Sequence, residues 1–466
     1  MDTSYQQFLA GKTITVPERG LAEQDLPTLA PHLFGFQKAS VAFGLRSGSY
    51  GLFLDTGLGK TACELEWCTH AAAASNGRAL ILTPLAVARQ IEAEGLRWGY
   101  QARVIRDMGD VADGINVCNY DRLHLLEPAA FGAVALDESS ILKAFTGATT
   151  RKLISAFAGH RWRMAATATP APNDHMELGQ HAEFLGLMTS HEMLMRWFIA
   201  DQTSMGTYRL KGHAVEPFWD WMASWSRMAE HPRDLGDDLP NFNLPELQII
   251  RHVVEAETVR RSPGDALFNT VPVSATEIHD IKRQTAERRA QTAGKLAAET
   301  PGPWVLWCDT DYEADALWAA LEGVDGVAEV RGSMSTERKE QAIAAFGSGA
   351  VRILITKPSM CGYGLNWQHC RQMAFVGRSF SYEAWYQAVR RCWRFGQRFV
   401  VQVHLIVAEG EDAIGRVIDR KSADHQRMKA AMAAAMRRAT GLAPPLRKAY
   451  QPIHAGQLPA WLRKAS

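Results

Sequence analysis

Short apolar runs rich in β-branched residues, each closed by turn residues, recur through the first part of the chain: GLFLD (51–55), RALILTP (78–84), INVCNY (115–120), AVALDE (133–138) and RWRMAATAT (161–169). Helix-like segments such as KTACELEWCTHAAAA lie between them. That alternation predicts βαβ units and a parallel sheet. Between about 185 and 300 the pattern turns helical and irregular. There EPFWDWMASWSRMAEH sets Phe218, Met222, Trp225 and Ala229 on one helical face, which favours a core stripe over a base-stacking platform. HPRDLGDDLPNFNLPE (231–246) reads as a crossing between domains. A second strand series follows, WVLWCD (304–309), VRILIT (351–356), RQMAFVG (371–377) and VVQVHLIV (400–407), so two α/β domains are expected. Near the end, QRMKAAMAAAMRR predicts a helix stopped by the Gly and Pro residues of GLAPP.

Composition changes this picture little. With 466 residues, 47% hydrophobic and 22% charged, the chain has enough apolar material for two or three cores. Its seven cysteines are scattered, without Cys-x-x-Cys or zinc spacing, so buried reduced thiols are expected and neither a disulfide framework nor a structural metal. The opening MDTSYQQFLAGK has no basic stretch followed by an apolar block, and no apolar run reaches membrane-spanning length. A cytoplasmic protein, bacterial or in a phage-infected host and without a membrane partner, is therefore expected. A net charge of +1 argues mildly against nucleic-acid binding by bulk electrostatics. Residues 411–466 differ, with eleven Lys/Arg against four acids. That tail is expected either to hold nucleic acid or to pack on the second lobe through Met428, Met432 and Met436.

Three segments carry chemistry. In LFLDTGLGKT (52–61), Gly57, Gly59, Lys60 and Thr61 offer unobstructed backbone N–H groups, a helix N-terminus, an ammonium and a hydroxyl, the set that a polyphosphate with magnesium requires. The strict phosphate-loop pattern has glycine where Leu54 stands. AVALDE then delivers Asp137 and Glu138 to a strand end, placed to face that loop as metal ligand and water-orienting base. In WYQAVRRCWRFGQ (385–397), Gln387, Arg391 and Arg394 fall at i, i+4 and i+7, which on a helix projects two guanidiniums together.

Taken in order, these segments resemble a superfamily-two helicase or translocase of the Swi/Snf-like branch, from about Phe34 to about Val407. FGFQ resembles the upstream glutamine element, ILTPLAVARQ the segment touching the nucleic-acid backbone, VALDESS the Walker B strand, and ATATPAPN the element coupling hydrolysis to strand contact. VRGSMSTERKEQAIAAF and MCGYGLNWQ resemble second-lobe motifs, and QAVRRCWRFGQ the arginine-finger helix. The resemblance implies two RecA-like lobes, that is, tandem P-loop NTPase-type parallel sheets, with a helical, irregular insertion and a C-terminal helical tail. The divisions would be an N-terminal segment (1–20), lobe 1 (21–245), lobe 2 (246–410) and a basic tail (411–466). It implies Mg2+ and ATP between the lobes: Gln37 on adenine; Thr56, Gly57, Leu58, Gly59, Lys60, Thr61 and Gly364 around the nucleotide; Thr61 and Asp137 on the metal; Glu138 on water; Arg391 and Arg394 on the transferred phosphoryl. Thr83, Pro84, Thr167, Thr169, Asn173, Thr356, Asn366 and Gln387 would contact nucleic acid or couple it to hydrolysis.

Double-stranded DNA is the implied partner and a monomer the expected state; the compact organisation resembles minimal helicases of bacteriophages and prophages. Five positions depart from the family: Ser139 and Ser140 replace Ala-His or Ala-Asp, Arg390 replaces an acid, Trp393 a histidine, and Ala168 a glycine. None removes a phosphate or magnesium contact. The missing histidine ordinarily links Walker B to the Thr-rich element, and Ser140 is the expected substitute. Besides duplex translocation, a strand-separating DNA or RNA helicase and a hydrolysis-deficient nucleic-acid-binding scaffold stay open.

Overall fold

The strand runs are almost wholly apolar because both faces of each sheet are covered by helices, and the chain sorts them into two parallel sheets. This computed structural model describes Val16 and residues 18–85, 87–143, 147–171, 174–200, 208–255, 275–362, 365–409 and 412–443. Up to the crossing, the strands are β1 (Ser49–Leu54), β2 (Arg78–Thr83), β3 (Ala102–Val104), β4 (Gly114–Asn119), β5 (Ala133–Asp137), β6 (Trp162–Ala166), β7 (Phe198–Ala200), β8 (Tyr208–Leu210) and β9 (Ser226–Ala229). β7 and β8 form a small antiparallel hairpin. The other seven make one sheet in the order β3-β4-β2-β5-β6-β1-β9, every pair parallel. The second sheet joins β10 (Leu247–Val254), β11 (Trp304–Trp307), β12 (Val327–Val330), β13 (Ile353–Thr356), β14 (Gln372–Phe375) and β15 (Val401–Ala408), in the order β10-β15-β14-β11-β13-β12. These are two RecA-like lobes.

β3, β9, β10 and β12 carry no sequence signal strong enough to stand alone, since they are short or lie at a sheet edge. β9 also corrects the predicted helical face. Helix Val215–Trp225 buries Phe218, Met222 and Trp225, but Ser226 closes it by donating its hydroxyl to the Met222 carbonyl at 2.7 Å. The chain then extends along the free edge of β1, which carries Ala229 off the helix and into the sheet. The tryptophans here are core: Trp221 and Trp225 pack with Trp197 and Phe218.

The C-terminal helix, Asp412–Ala439, corrects the second-lobe docking expected for the tail. Met428, Met432 and Met436 are buried in the lobe-1 core that holds Phe218 and Trp225, because that aromatic helix offers the apolar surface they match. Arg437 pairs with Asp234 at 3.2 Å and Arg438 with Asp220 at 2.6 Å, so much of the charge at this end is spent within lobe 1. All seven cysteines are buried and free. Among the described residues no helix is long and apolar enough to cross a membrane.

Candidate active site

The glycines of the phosphate loop are required by backbone geometry. Gly57 has φ 93° and Gly59 φ 79°, both left-handed, and Gly59 is the N-cap of helix Lys60–Ala73. A Cβ on Gly57 would meet the Phe395 nitrogen of lobe 2 at 2.8 Å, and one on Gly59 would meet the Gln37 amide nitrogen at 2.3 Å. Lys60 folds back to donate to the Leu54 carbonyl at 3.0 Å, which places its ammonium across the loop. Gln37 is committed at both ends of its amide: Oε1 accepts from the Phe34 N–H at 2.9 Å and Nε2 donates to the Leu58 carbonyl at 2.9 Å. It therefore fastens the preceding helix to the loop, beside the cleft wall where His32 stacks on Trp98 at 5.0 Å.

Asp137 ends β5, and its Oδ2 accepts from the Thr83 hydroxyl at 2.8 Å. Glu138 follows with φ 53°, the left-handed region that a non-glycine residue enters only when its surroundings hold it there. Its Oε2 accepts from the Thr167 hydroxyl at 3.4 Å. The link from the acidic pair to the Thr-rich element thus runs through Thr167 rather than through Ser140. Ser139 turns the other way: its hydroxyl lies 3.1 Å from His181 Nε2, and His181 Nδ1 lies 3.2 Å from the Glu177 carbonyl. A proton on Nδ1 makes both contacts favourable, with Ser139 donating to Nε2. Burial pushes the His181 pKa down to about 4. The folded value lies below the unfolded 6.5, so this contribution to stability is intact above about pH 6.5 and is lost as pH falls toward 4. Urea denaturation across that window is expected to show a loss of about 3 kcal/mol from this site, and His181→Gln to flatten the slope.

The arginine segment departs from the predicted single helical face. The helix runs only from Tyr382 to Val389, and Arg391 and Arg394 lie in the turns that follow. The cause is local: the Gln387 carbonyl is capped by the Arg391 Nε at 2.9 Å instead of by a continuing helical N–H. The two guanidiniums still converge, both donating to the Leu365 carbonyl, at 3.1 and 2.8 Å. Arg391 Nη2 also donates to Gln387 Oε1 at 2.8 Å, and Gln387 Nε2 reaches Thr169 Oγ1 at 3.5 Å across the lobes. With the Thr169 N–H donating to Thr167 Oγ1 at 3.1 Å, a polar path joins Glu138, Thr167, Thr169, Gln387 and Arg391. Gln387→Leu cuts that path without touching the phosphate loop. For the ATP hydrolysis that the motif resemblance implies, it is expected to weaken polymer stimulation about ten-fold while leaving nucleotide affinity near wild type, as measured by steady-state turnover beside equilibrium titration.

All these elements border one cleft of about 380 Å3, lined by Thr56, Gly57, Gly59, Lys60, Thr61, Asp137 and Glu138 from lobe 1 and by Asn366, Arg391 and Arg394 from lobe 2. Its charges are set for an anion and a cation together. Burial, then the Arg391 charge, pull Arg394 down to about 9, and burial also lowers Lys60 despite the nearby carboxylates. Burial and the Glu138 charge raise Asp137 to about 7. A polyphosphate would relieve the first strain and a divalent cation the second. Among the described residues no group of three His, Cys, Asp or Glu could hold a metal alone. Asp137 and Thr61 fit a magnesium ion that takes its other ligands from phosphate and water.

The residues expected to contact nucleic acid or to couple it to hydrolysis are mostly turned inward. Thr83, Thr167, Thr169, Thr356 and Gln387 are buried, and their side chains are committed within the protein, Thr356 to the Val330 carbonyl at 3.4 Å. Each threonine closes or follows a parallel strand, and its hydroxyl bonds to a neighbouring residue of the protein. Pro84 is half-buried, and Asn366 is exposed at the cleft mouth. Leu58 is buried beneath the loop, while Asn173 and Gly364 lie outside the described residues. Sequence reasoning missed Thr83 as the partner of Asp137, and it missed Asp55, which receives Arg390 at 3.0 Å. A signal for Asp55 was present: the charge reversal at Arg390 calls for a new acid opposite it.

Residues 292–396, within the second lobe, match the helicase conserved C-terminal domain family. The chain is 22% identical over 474 residues to the protein p41 of Acyrthosiphon pisum secondary endosymbiont phage 1, covering 87% of this chain and 96% of that one. Among solved structures, the Sulfolobus solfataricus SWI2/SNF2 ATPase core in complex with dsDNA is similar at a TM-score of 0.40 and 14% identity, over 89% of this chain and 97% of that one.

Proposed function

We propose that this chain, whose second lobe matches the helicase conserved C-terminal domain and whose motifs stand in the order of the Swi/Snf-like branch of superfamily two, is a nucleic-acid-stimulated ATPase that moves along duplex DNA. The observation that carries the reading is the convergence, on one cleft, of Lys60, Thr61, Asp137 and Glu138 from one lobe with Arg391 and Arg394 from the other. In this reading Gly57, Gly59 and Lys60 hold the β- and γ-phosphates, while Thr61 and Asp137 hold magnesium. When bound, magnesium would neutralise phosphate charge. Glu138 orients and deprotonates water, and Arg391 and Arg394 stabilise charge on the phosphoryl group. Gln37 sits at the base side and selects adenine through the hydrogen-bonding capacity its two backbone contacts leave. Residues 21–245 and 246–410 act as the two moving lobes, so closure assembles the site and opening dissolves it.

Duplex translocation is favoured over strand separation because the motif resemblance is to the Swi/Snf-like branch. Backbone phosphate contacts through N–H groups need no large net charge. The test is ATPase rate without polymer and with single-stranded DNA, duplex DNA and RNA. Duplex DNA is expected to stimulate most, and Lys60→Ala to lower the stimulated rate about a hundred-fold or more. Equal, slow hydrolysis on every polymer by wild type and Lys60→Ala sinks the motor reading. Displacement of a triplex-forming strand without unwinding of a forked duplex separates translocation from helicase action.

A further inference from the structure

One carboxylate next to the phosphate loop gathers groups from three parts of the chain. Asp55 is buried at the end of β1, one residue before Thr56. From lobe 2, the Tyr386 hydroxyl donates to its Oδ1 at 2.6 Å and Arg390 Nη2 lies 3.0 Å from its Oδ2. Arg390 also donates to the Thr56 carbonyl at 2.7 Å, so it grips the loop backbone as well as the acid. From the C-terminal helix, Lys429 Nζ lies 3.2 Å from Asp55 Oδ2, 2.9 Å from Glu230 Oε1 and 2.8 Å from the Tyr386 hydroxyl. Burial raises the Asp55 carboxyl, but Arg390 first and then Lys429 more than offset it, holding the group below the usual carboxylate range.

The C-terminal helix is placed to matter when the lobes part. It leaves lobe 2 soon after β15, and Ile418 packs against Tyr382 and Tyr386 of the arginine helix. Further along, Met428, Met432 and Met436 are sunk in the lobe-1 core and Arg437 and Arg438 pair with lobe-1 acids. Lys429 stands on the lobe-1 half. Opening therefore withdraws Arg390 and Tyr386 from Asp55 but leaves Lys429 in place.

We propose that Lys429 is a positioning residue of the ATPase cycle, the resident counter-ion of Asp55 that lets Arg390 release the phosphate loop when the lobes open. With Lys429 present, the withdrawal of Arg390 leaves a paired carboxylate. Without it, opening strands a buried charge, which is strongly unfavourable, and the lobes stay closed. Loss of Arg390 acts in the opposite direction, because the closed state then loses its cross-lobe anchor. The tail is on this account part of the engine, and the inference rests on the ATPase reading only for its nucleotide effects.

The test uses the full chain with dyes on Ala74→Cys in lobe 1 and Ser348→Cys in lobe 2; both positions are exposed, whereas the native cysteines are all buried. Lys429→Met, a near-isosteric change among methionines, is expected to shift inter-lobe energy transfer toward the closed population and to slow release of a fluorescent ADP about ten-fold, with a lower KM for ATP. Arg390→Met is expected to shift transfer toward the open population and to raise KM. Lys429→Arg should behave as wild type, and adding Asp55→Asn to Lys429→Met should restore fast release, because no charge is then left to strand. If Lys429→Met and Arg390→Met move the transfer in the same direction, or only lower Tm, the latch is wrong. Absence of polymer-stimulated hydrolysis in wild type would remove the ATPase reading alone, since the transfer distributions without nucleotide still decide the latch.

Discussion

On the proposed ATPase reading, Glu138→Gln is expected to lower the polymer-stimulated rate of ATP hydrolysis by about a thousand-fold while leaving ATP affinity within a few-fold of wild type, the scale of a lost general base. The amide matches the carboxylate in shape and keeps an oxygen for the Thr167 hydroxyl at 3.4 Å, so the polar path toward lobe 2 survives. It imposes the same left-handed backbone as the φ of 53° at Glu138, and therefore adds no new strain. What it removes is the capacity to take a proton from water. The neighbouring Asp137, raised to about 7 by burial and by the Glu138 charge, is also relieved of a like charge. Tighter magnesium-dependent nucleotide binding is a further expected sign. Single-turnover phosphate release with equilibrium binding of a fluorescent ATP measures both quantities. If phosphate release is unchanged, Glu138 is not the base.

On the same proposed reading, which puts Arg394 at the transferred phosphoryl, Arg394→Ala is expected to cost a comparable or larger factor, about a thousand-fold or more in kcat, because such an arginine stabilises charge that exists only in the transition state. Arg394 and Arg391 are not equivalent. Arg391 is held by the Gln387 carbonyl, the Gln387 side chain and the Leu365 carbonyl, which makes it a structural tie of the turn as well as a cation. Arg394 lines the cleft with a contact to the Leu365 carbonyl at 2.8 Å. Burial and then the Arg391 charge lower its pKa to about 9, so added negative charge beside it is favourable. Arg391→Ala should therefore lose rate and stability together, about 1–3 kcal/mol of the latter. Arg394→Ala should lose rate with little change in Tm. Lysine at 394 is expected to restore little, because it lacks the planar fork. Thermal melts beside turnover separate the two arginines, and identical stability losses would remove the distinction.

Leu54 in place of the first loop glycine had no consequence for the turn, because Gly57 and Gly59 supply the positive φ values themselves. The serines after the acidic pair raised a question of coupling that the letters framed wrongly. Ser140 was the candidate substitute for the family's histidine; Thr167 makes the contact, and Ser139 faces His181 instead. The helical periodicity from Gln387 to Arg394 predicts that the two guanidiniums converge, and they do so for a different reason, since the helix ends at Val389 and a capped turn brings them together. Spacing cannot report a turn stabilised by the side chain of one of its own residues.

By itself, the sequence determined two parallel α/β sheets, the glycine loop before Lys60, the acids at the end of β5 and the arginines of the second lobe. All of these are local: strand hydrophobicity, turn chemistry and strand-end placement act over a few residues and leave periodic signals. Only the tertiary structure decided that Thr83 holds Asp137, that the methionine face of the tail seats in lobe 1, and that Tyr386, Arg390 and Lys429 meet on Asp55. Those contacts join residues more than fifty, and in the last case more than three hundred, positions apart. Burial makes each ion or hydroxyl demand a partner, but the partner can come from any element that the fold brings near.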